Sequence, residues 1–142
     1  MKPAGQIVGE KFREILNRRR IKDYQVTHAE RAIFLVICVR CEKNQNGFRS
    51  VFDQELSRSE VIELIGYIRE LELPEIAALL EEISSLLIAN NFYGSGEHPV
   101  IASRTLRESV LTRIETIGEQ IGDQLWEIDE RLLEMLNREA NP

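Results

Sequence analysis

Histidine and cysteine are scarce in this chain, with two of each among 142 residues. Structural zinc takes four Cys or His ligands gathered at one point, so the scarcity removes most metal and nucleophile chemistry at the outset. Proline (four) and glycine (eight) are also sparse, which excludes a disordered or turn-rich all-β chain. Aromatic residues make up 6%, and no base-stacking platform accompanies the basic residues near the N-terminus. The longest apolar run, Ala32–Val39, has eight residues, against the roughly 18 that a membrane span needs. The opening MKPAGQIVGEKFREILNRRR is soon broken by charges and reads as neither a signal peptide nor a lipidation site. A reducing cytoplasm is the expected compartment, and no membrane partner is expected.

The two cysteines form a C-x-x-C pair, Cys38 and Cys41. A redox pair of this kind works because its first thiol sits at a helix N-terminus, where the dipole favours thiolate. Here the pair falls near the C-terminal end of an expected helix, where the dipole acts the other way. His28 precedes Cys38 by ten residues on the same helix, roughly 15 Å at 1.5 Å per residue. Zinc ligands must reach one atom at about 2.0–2.3 Å, so these two cannot share an ion. The expectation is a packed Cys38, with Cys41 about one turn beyond. His28 reads as a surface or capping residue and His98 as a turn residue. Gly94-Ser95-Gly96 lacks the lysine of a phosphate loop and a strand before it. With no convergent acid, base and oxyanion donor, no catalytic residue, cofactor or metal ligand is assigned, and the expected class is a non-enzyme.

What the chain does have is helical periodicity with caps. A first helix is expected over Gln6–Arg20, with Val8, Phe12, Ile15 and Leu16 on one face. Thr27-His28-Ala29-Glu30 reads as a capping box opening a second helix to about Lys43. The run AIFLVICV makes that helix apolar on every side, and Asn46-Gly47 supplies its stop. A short helix over 48–56 turns Val51, Phe52 and Leu56 inward. Ser57-Arg58-Ser59-Glu60 is a second capping box, and Pro74 starts a helix to Ala89. NNFYGSGEHP (90–99) has clear loop chemistry. Apolar residues from Val110 to Met135 then recur at three- and four-residue steps, with a break expected near Gly118. The expected fold is all-α: six or seven helices around a buried central helix over 27–43. A basic helix over 1–22 is appended to an all-helical domain over 23–142.

Charge is unevenly spread. Residues 1–40 carry nine basic and four acidic groups, net +5; residues 41–142 carry nine basic and twenty acidic, net −11. Arg18, Arg19 and Arg20 are candidates for phosphate contact. The acidic remainder and the lack of a helix-turn-helix argue against direct nucleic-acid binding. At the other end Glu115, Glu119, Asp123, Glu127, Glu130 and Glu134 recur every three or four residues. A four-residue helical step is about 6 Å, while one DNA strand carries a charge every ~3.4 Å. One such stripe is about half as dense as a phosphate strand, and two side by side approach it.

Several segments resemble the bacterial DNA-mimic protein family, whose domain mostly has no assigned function. They are Asn46-Gly47-Phe48, Phe52-Asp53, LELPEIAALLEEISSLL (71–87) and LWEIDERLLEML (125–136), with Asp129 at an Asp position of the family. One glycine of the family's Asn-Gly-Gly-Phe turn is missing, and Leu71-Glu72-Leu73 stands in place of an Ile-Gly-Ala-like turn. The resemblance implies an all-helical fold and a homodimer. In the family's namesake, the acidic dimer surface imitates duplex DNA and occupies a DNA-binding protein. The reading that follows is a non-catalytic interaction protein. The six carboxylates would be offered to a basic protein such as a DNA-binding regulator. Alternatives are an immunity-type or other regulatory binding protein, and nucleic-acid contact through the basic N-terminal helix.

Overall fold

A computed structural model of the chain describes residues 2–21, 23–100, 106–122, 124 and 128–142. Among them are seven α-helices and no strand: α1 (Ala4–Arg18), α2 (His28–Asn46), α3 (Phe48–Ser50), α4 (Arg58–Glu70), α5 (Pro74–Ala89), α6 (Glu108–Ile121) and α7 (Asp129–Ala140). The fold is all-α, and among the described residues no helix is long and apolar enough to cross a membrane. The chain forms two compact units, one of residues 1–40 with 123–142 and one of 41–122.

In the first unit, Val8 and Ile15 set the buried seam of α1, which packs on α7. These two lie seven residues apart, so Leu16 is turned about 100° from the seam. It is 39% exposed rather than inward as its neighbours suggested. Phe12 meets Phe34 of α2 with ring centroids 5.7 Å apart. The basic N-terminal segment, expected as an appendage over 1–22, thus contributes a buried helix face here. Helix α2 opens as its capping box predicts. The Thr27 hydroxyl accepts from Glu30 N–H at 3.2 Å, and the Glu30 carboxylate accepts from Thr27 N–H at 3.0 Å. Buried residues occupy every side of α2, from Ala29 through Val39. At its end Gly47 takes φ +91°, a conformation open to glycine that stops the helix.

The second unit begins with the last residues of α2, from Cys41, and continues into α3, a single turn that widens into one π-helical turn over Val51–Glu55, closed by a Leu56 N–H bond to the Val51 carbonyl at 2.9 Å. Val51, Phe52 and Leu56 are buried as expected, and Phe48 stacks edge-on to Phe52 at 5.4 Å. Helix α4 begins at the second capping box, with Ser57 and Glu60 satisfying each other's backbone N–H groups. Ser57→Ala is expected to cost about 1 kcal/mol, read as a lower urea midpoint at unchanged slope. Helices α4 and α5 pack as a hairpin through the 71–73 turn, and α5 packs on α6.

The 90–100 loop is packed rather than loose. Phe92 and Tyr93 are buried, Arg58 N–H bonds the Glu97 carbonyl, and Ser59 N–H bonds the Glu97 carboxylate, both at 2.8 Å. Burial pushes the Tyr93 phenol up to about 12.

The expected break near Gly118 is displaced. Gly118 stays helical, and its lack of a side chain serves the close approach of α6 to Phe48, since a Cβ there would lie 2.8 Å from the Phe48 side chain. The helix stops instead at Gly122, with φ +49° and ψ −130°.

Candidate functional site

The acidic series is not one stripe. Because Gly122 ends α6, Glu115 and Glu119 stand on α6 in the second unit, and Glu130 and Glu134 on α7 in the first. Asp123 and Glu127 lie outside the described residues. The 6 Å step therefore holds within each described pair and does not run through the series.

Individual carboxylates also carry internal duties. Glu115 accepts the Arg49 N–H at 3.1 Å, serving one of the unsatisfied donors at the start of α3. On α7, Asp129 pairs with Arg40 at 3.0 Å, with side chains only 14% and 8% exposed. Near the end of α7, Glu139 reaches back to the start of α2. It accepts from the Thr27 hydroxyl at 2.5 Å and from Ala29 N–H at 2.9 Å. A carboxylate there also meets the positive end of the α2 dipole. Glu119, Glu130 and Glu134 remain exposed, the last facing Arg138 loosely at 3.8 Å.

The three consecutive arginines separate as sharply. Helix α1 ends at Arg18, two residues earlier than its pattern suggested, so Arg19 and Arg20 follow the helix. Arg18 is committed inward: its guanidinium bonds both Glu30 oxygens at 2.9 Å, Glu14 at 2.8 Å and the Gln25 carbonyl at 2.9 Å. Lys11 adds a contact to Glu30 at 3.6 Å. The Arg18 bond, aided by Thr27 N–H, holds the Glu30 carboxyl down at about 2 although burial opposes it. Arg19 sits over the Phe34 ring at 5.0 Å, with Arg31 5.7 Å from the same ring. Both distances fall within cation–π range. Arg20 is exposed.

Charge sorts by unit rather than by position along the chain. The 41–122 segment holds fourteen acidic and seven basic residues, net −7. The segments 1–40 and 123–142 together hold ten acidic and eleven basic, net +1. The C-terminal acids thus offset the basic N-terminus within one unit, and the excess negative charge belongs to the other.

No family model, curated protein or solved structure matches the chain.

Within the 41–122 unit, ion pairs take up several cations: Arg113 with Glu82 at 2.8 Å, Arg69 with Glu81, and Arg49 with Asp53 at 3.7 Å. Arg113 holds the Glu82 carboxyl below its ordinary range. Glu55, Glu70, Glu72, Glu75, Glu108 and Glu119 are exposed. Glu70, Glu72 and Glu75 fall around the α4–α5 turn, where Glu72 holds φ +62°. Sequence periodicity could not single these out, because they bracket a turn instead of lining a helix. Cys38 is half-buried rather than in the core, and Cys41 is exposed; neither is in a disulfide. Among the described residues no three His, Cys, Asp or Glu side chains gather as an ion site.

Proposed function

We propose that this protein is a non-catalytic helical interaction protein of the cytoplasm. The acidic 41–122 unit receives a basic protein, such as a DNA-binding regulator. The observation that carries this reading is the net −7 of that unit, fourteen acidic residues against seven basic ones. Such a surface steers a cationic partner and fixes its approach more than it adds raw affinity. The resemblance to DNA-mimic proteins supports the same reading. Net charge rather than phosphate-like spacing carries the attraction, because the described members of the acidic series are divided between α6 and α7. Glu70, Glu72, Glu75 and Glu119 become the leading contact residues on the partner side, with Glu130 and Glu134 on the other unit as the remainder of the original series.

The test is capture of basic host proteins on the immobilised full chain, followed by release with salt or with a duplex DNA fragment. A genuine partner is expected to be released by both, because DNA and this protein would occupy one cationic surface. Replacing Glu70, Glu72, Glu75 and Glu119 together by glutamine should weaken that partner about tenfold, at a few tenths of a kcal/mol or more per exposed pair. Binding indifferent to salt, to DNA and to the four replacements would sink the reading.

A further inference from the structure

Single exposed hydrophobic side chains are ordinary on a protein surface, whereas a cluster of them marks a contact. Among the described residues, Leu16 (39%), Ile21 (63%) and Tyr24 (39%) are exposed within one short stretch at the end of α1. The other large exposed hydrophobics, Ile62, Ile88 and Val100, lie in the 41–122 unit. The stretch is a built turn. Arg20 N–H bonds the Asn17 carbonyl at 3.2 Å, Ile21 N–H the Arg18 carbonyl at 2.9 Å and Tyr24 N–H the Ile21 carbonyl at 3.3 Å. Asp23 takes φ +63° inside it, a conformation that aspartate tolerates in turns. Positive charge gathers in the same place. Residues 13–31 hold six basic and three acidic groups, net +3, in a chain of net −6. That count already includes Glu14 and Glu30, the partners of Arg18. Lys22 enters it by charge alone, since it lies outside the described residues. Arg13 and Arg20 are exposed, and Arg19 rests on the uncharged Phe34 ring. Arg13 and Leu16, three residues apart, are neighbours on one helix face.

We propose that the end of α1 and the turn after it dock on an anionic lipid bilayer. Leu16, Ile21 and Tyr24 enter the headgroup region, and Arg13, Arg19 and Arg20 lie against lipid phosphates. Charge complementarity together with exposed apolar area selects this occupant. A bilayer interface offers anions at its surface and acyl chains just beneath, and basic residues beside apolar ones bind it without crossing it. None of the described helices is a membrane span, and this contact needs none. A nucleic acid would satisfy the arginines and leave Leu16 and Ile21 in water. A protein would need a preformed apolar pocket to receive a turn, where a fluid bilayer deforms around it. The acids of α7 stand clear of the contact. Asp129 lies beside Gly5 at the start of α1, and Glu139 reaches the start of α2, so α7 runs alongside α1 in the same direction. Glu130 and Glu134 are then roughly 18 and 12 Å of helix short of Arg18, beyond the Debye length of about 8 Å. The inference does not rest on the acidic-partner reading, whose leading contact residues belong to the 41–122 unit.

A few cations and two partly inserted aliphatic side chains give a weak, reversible contact, comparable to a single myristoyl chain at about 10⁴ M⁻¹. The test is co-flotation of the full chain with vesicles of phosphatidylglycerol and phosphatidylcholine in equal parts, at up to about 5 mM lipid. The chain is expected to float with these vesicles, to stay behind with pure phosphatidylcholine, and to be released by high salt. Arg20→Glu should weaken the contact about tenfold or more. Leu16→Ser combined with Ile21→Ser should weaken it about tenfold with no change in charge. All three side chains are exposed in the free chain, so helix content and thermal midpoint should not move. No flotation with the anionic vesicles overturns the proposal. So does flotation that survives the double serine replacement, which would reduce the contact to general anion attraction. Tighter binding of a single-stranded DNA oligonucleotide, weakened by Arg20→Glu and indifferent to the two serines, overturns it in favour of nucleic acid.

Discussion

Arg18→Ala is expected to lower the unfolding free energy by roughly 3 kcal/mol at neutral pH, with Arg20→Ala within about 0.5 kcal/mol of the parent. The two arginines are near neighbours in sequence and look equivalent as phosphate ligands, but the fold gives them different work. The Glu30 side chain is 6% exposed, and the Arg18 guanidinium is its main counter-charge. Removing Arg18 leaves a buried carboxylate with Thr27 N–H at 3.0 Å and Lys11 at 3.6 Å. That residual support places the cost at the lower end of what a broken buried pair usually shows.

The pH dependence separates this from a general loss of packing. The Glu30 carboxyl falls from the usual 4.5 to about 2 on folding. A depressed acid stabilises the folded chain fully above its unfolded value and loses that contribution as pH falls through the folded one. Two to three pH units correspond to roughly 3 kcal/mol, fully present above pH ~4.5 and gone near pH ~2. The gap between parent and Arg18→Ala should therefore be widest at pH 7 and close as pH drops through that window. Urea unfolding at several pH values, followed by circular dichroism, reads it directly. A gap that is constant with pH would mean that Arg18 contributes through its aliphatic stem and not through Glu30. The result also bears on function, since any anion contact near this helix then falls to Arg19 and Arg20.

The parts of the fold legible in the sequence were those fixed over three or four residues. Thr27 with Glu30 and Ser57 with Glu60 cap helices because each box needs only its own turn. Pro74 opens α5 and Gly47 closes α2 for equally local reasons. What could not be read depends on partners far along the chain. Gly118 looked like a helix breaker, yet it is a site of close approach to Phe48, seventy residues earlier. Glu139 has no local signal of its role, yet it accepts from a helix N–H at Ala29, 110 residues before it. Glu115 was likewise drawn from the apparent stripe by the start of α3, and Asp129 is taken by Arg40, 89 residues earlier. The π-helical turn over Val51–Glu55 has no local signature at all. The candidate site suffered most, because a periodic row of acids looks the same in sequence whether its members face solvent or satisfy distant donors. Charge counted by compact unit, available only once 123–142 had joined 1–40, moved the acidic surface to 41–122.

Phe48 and Gly118 should show the strongest coupling in the molecule. Phe48→Ala alone is expected to cost about 3–5 kcal/mol, as for any large aromatic removed from a packed core. The side chain is 2% exposed and braces Phe52 edge-on. Gly118→Ala alone gains roughly 1 kcal/mol in helix propensity, but its methyl lands 2.8 Å from Phe48 Cβ and Cγ, closer than real contacts allow. Overpacking of this kind costs about 1–3 kcal/mol, so the single change should destabilise on balance. In the Phe48→Ala background the ring that pins α3 against α6 is gone. Only one short side chain then faces the new methyl, and the turn can shift into the vacated volume. The penalty for Gly118→Ala should shrink by about 1 kcal/mol or more, and the favourable propensity term can then reverse its sign. Urea titrations of the parent, both single variants and the double variant measure this as a double-mutant cycle. Additive energies would mean that α6 does not pass α3 at the distance described, and that Gly118 is held by backbone conformation instead of by the ring.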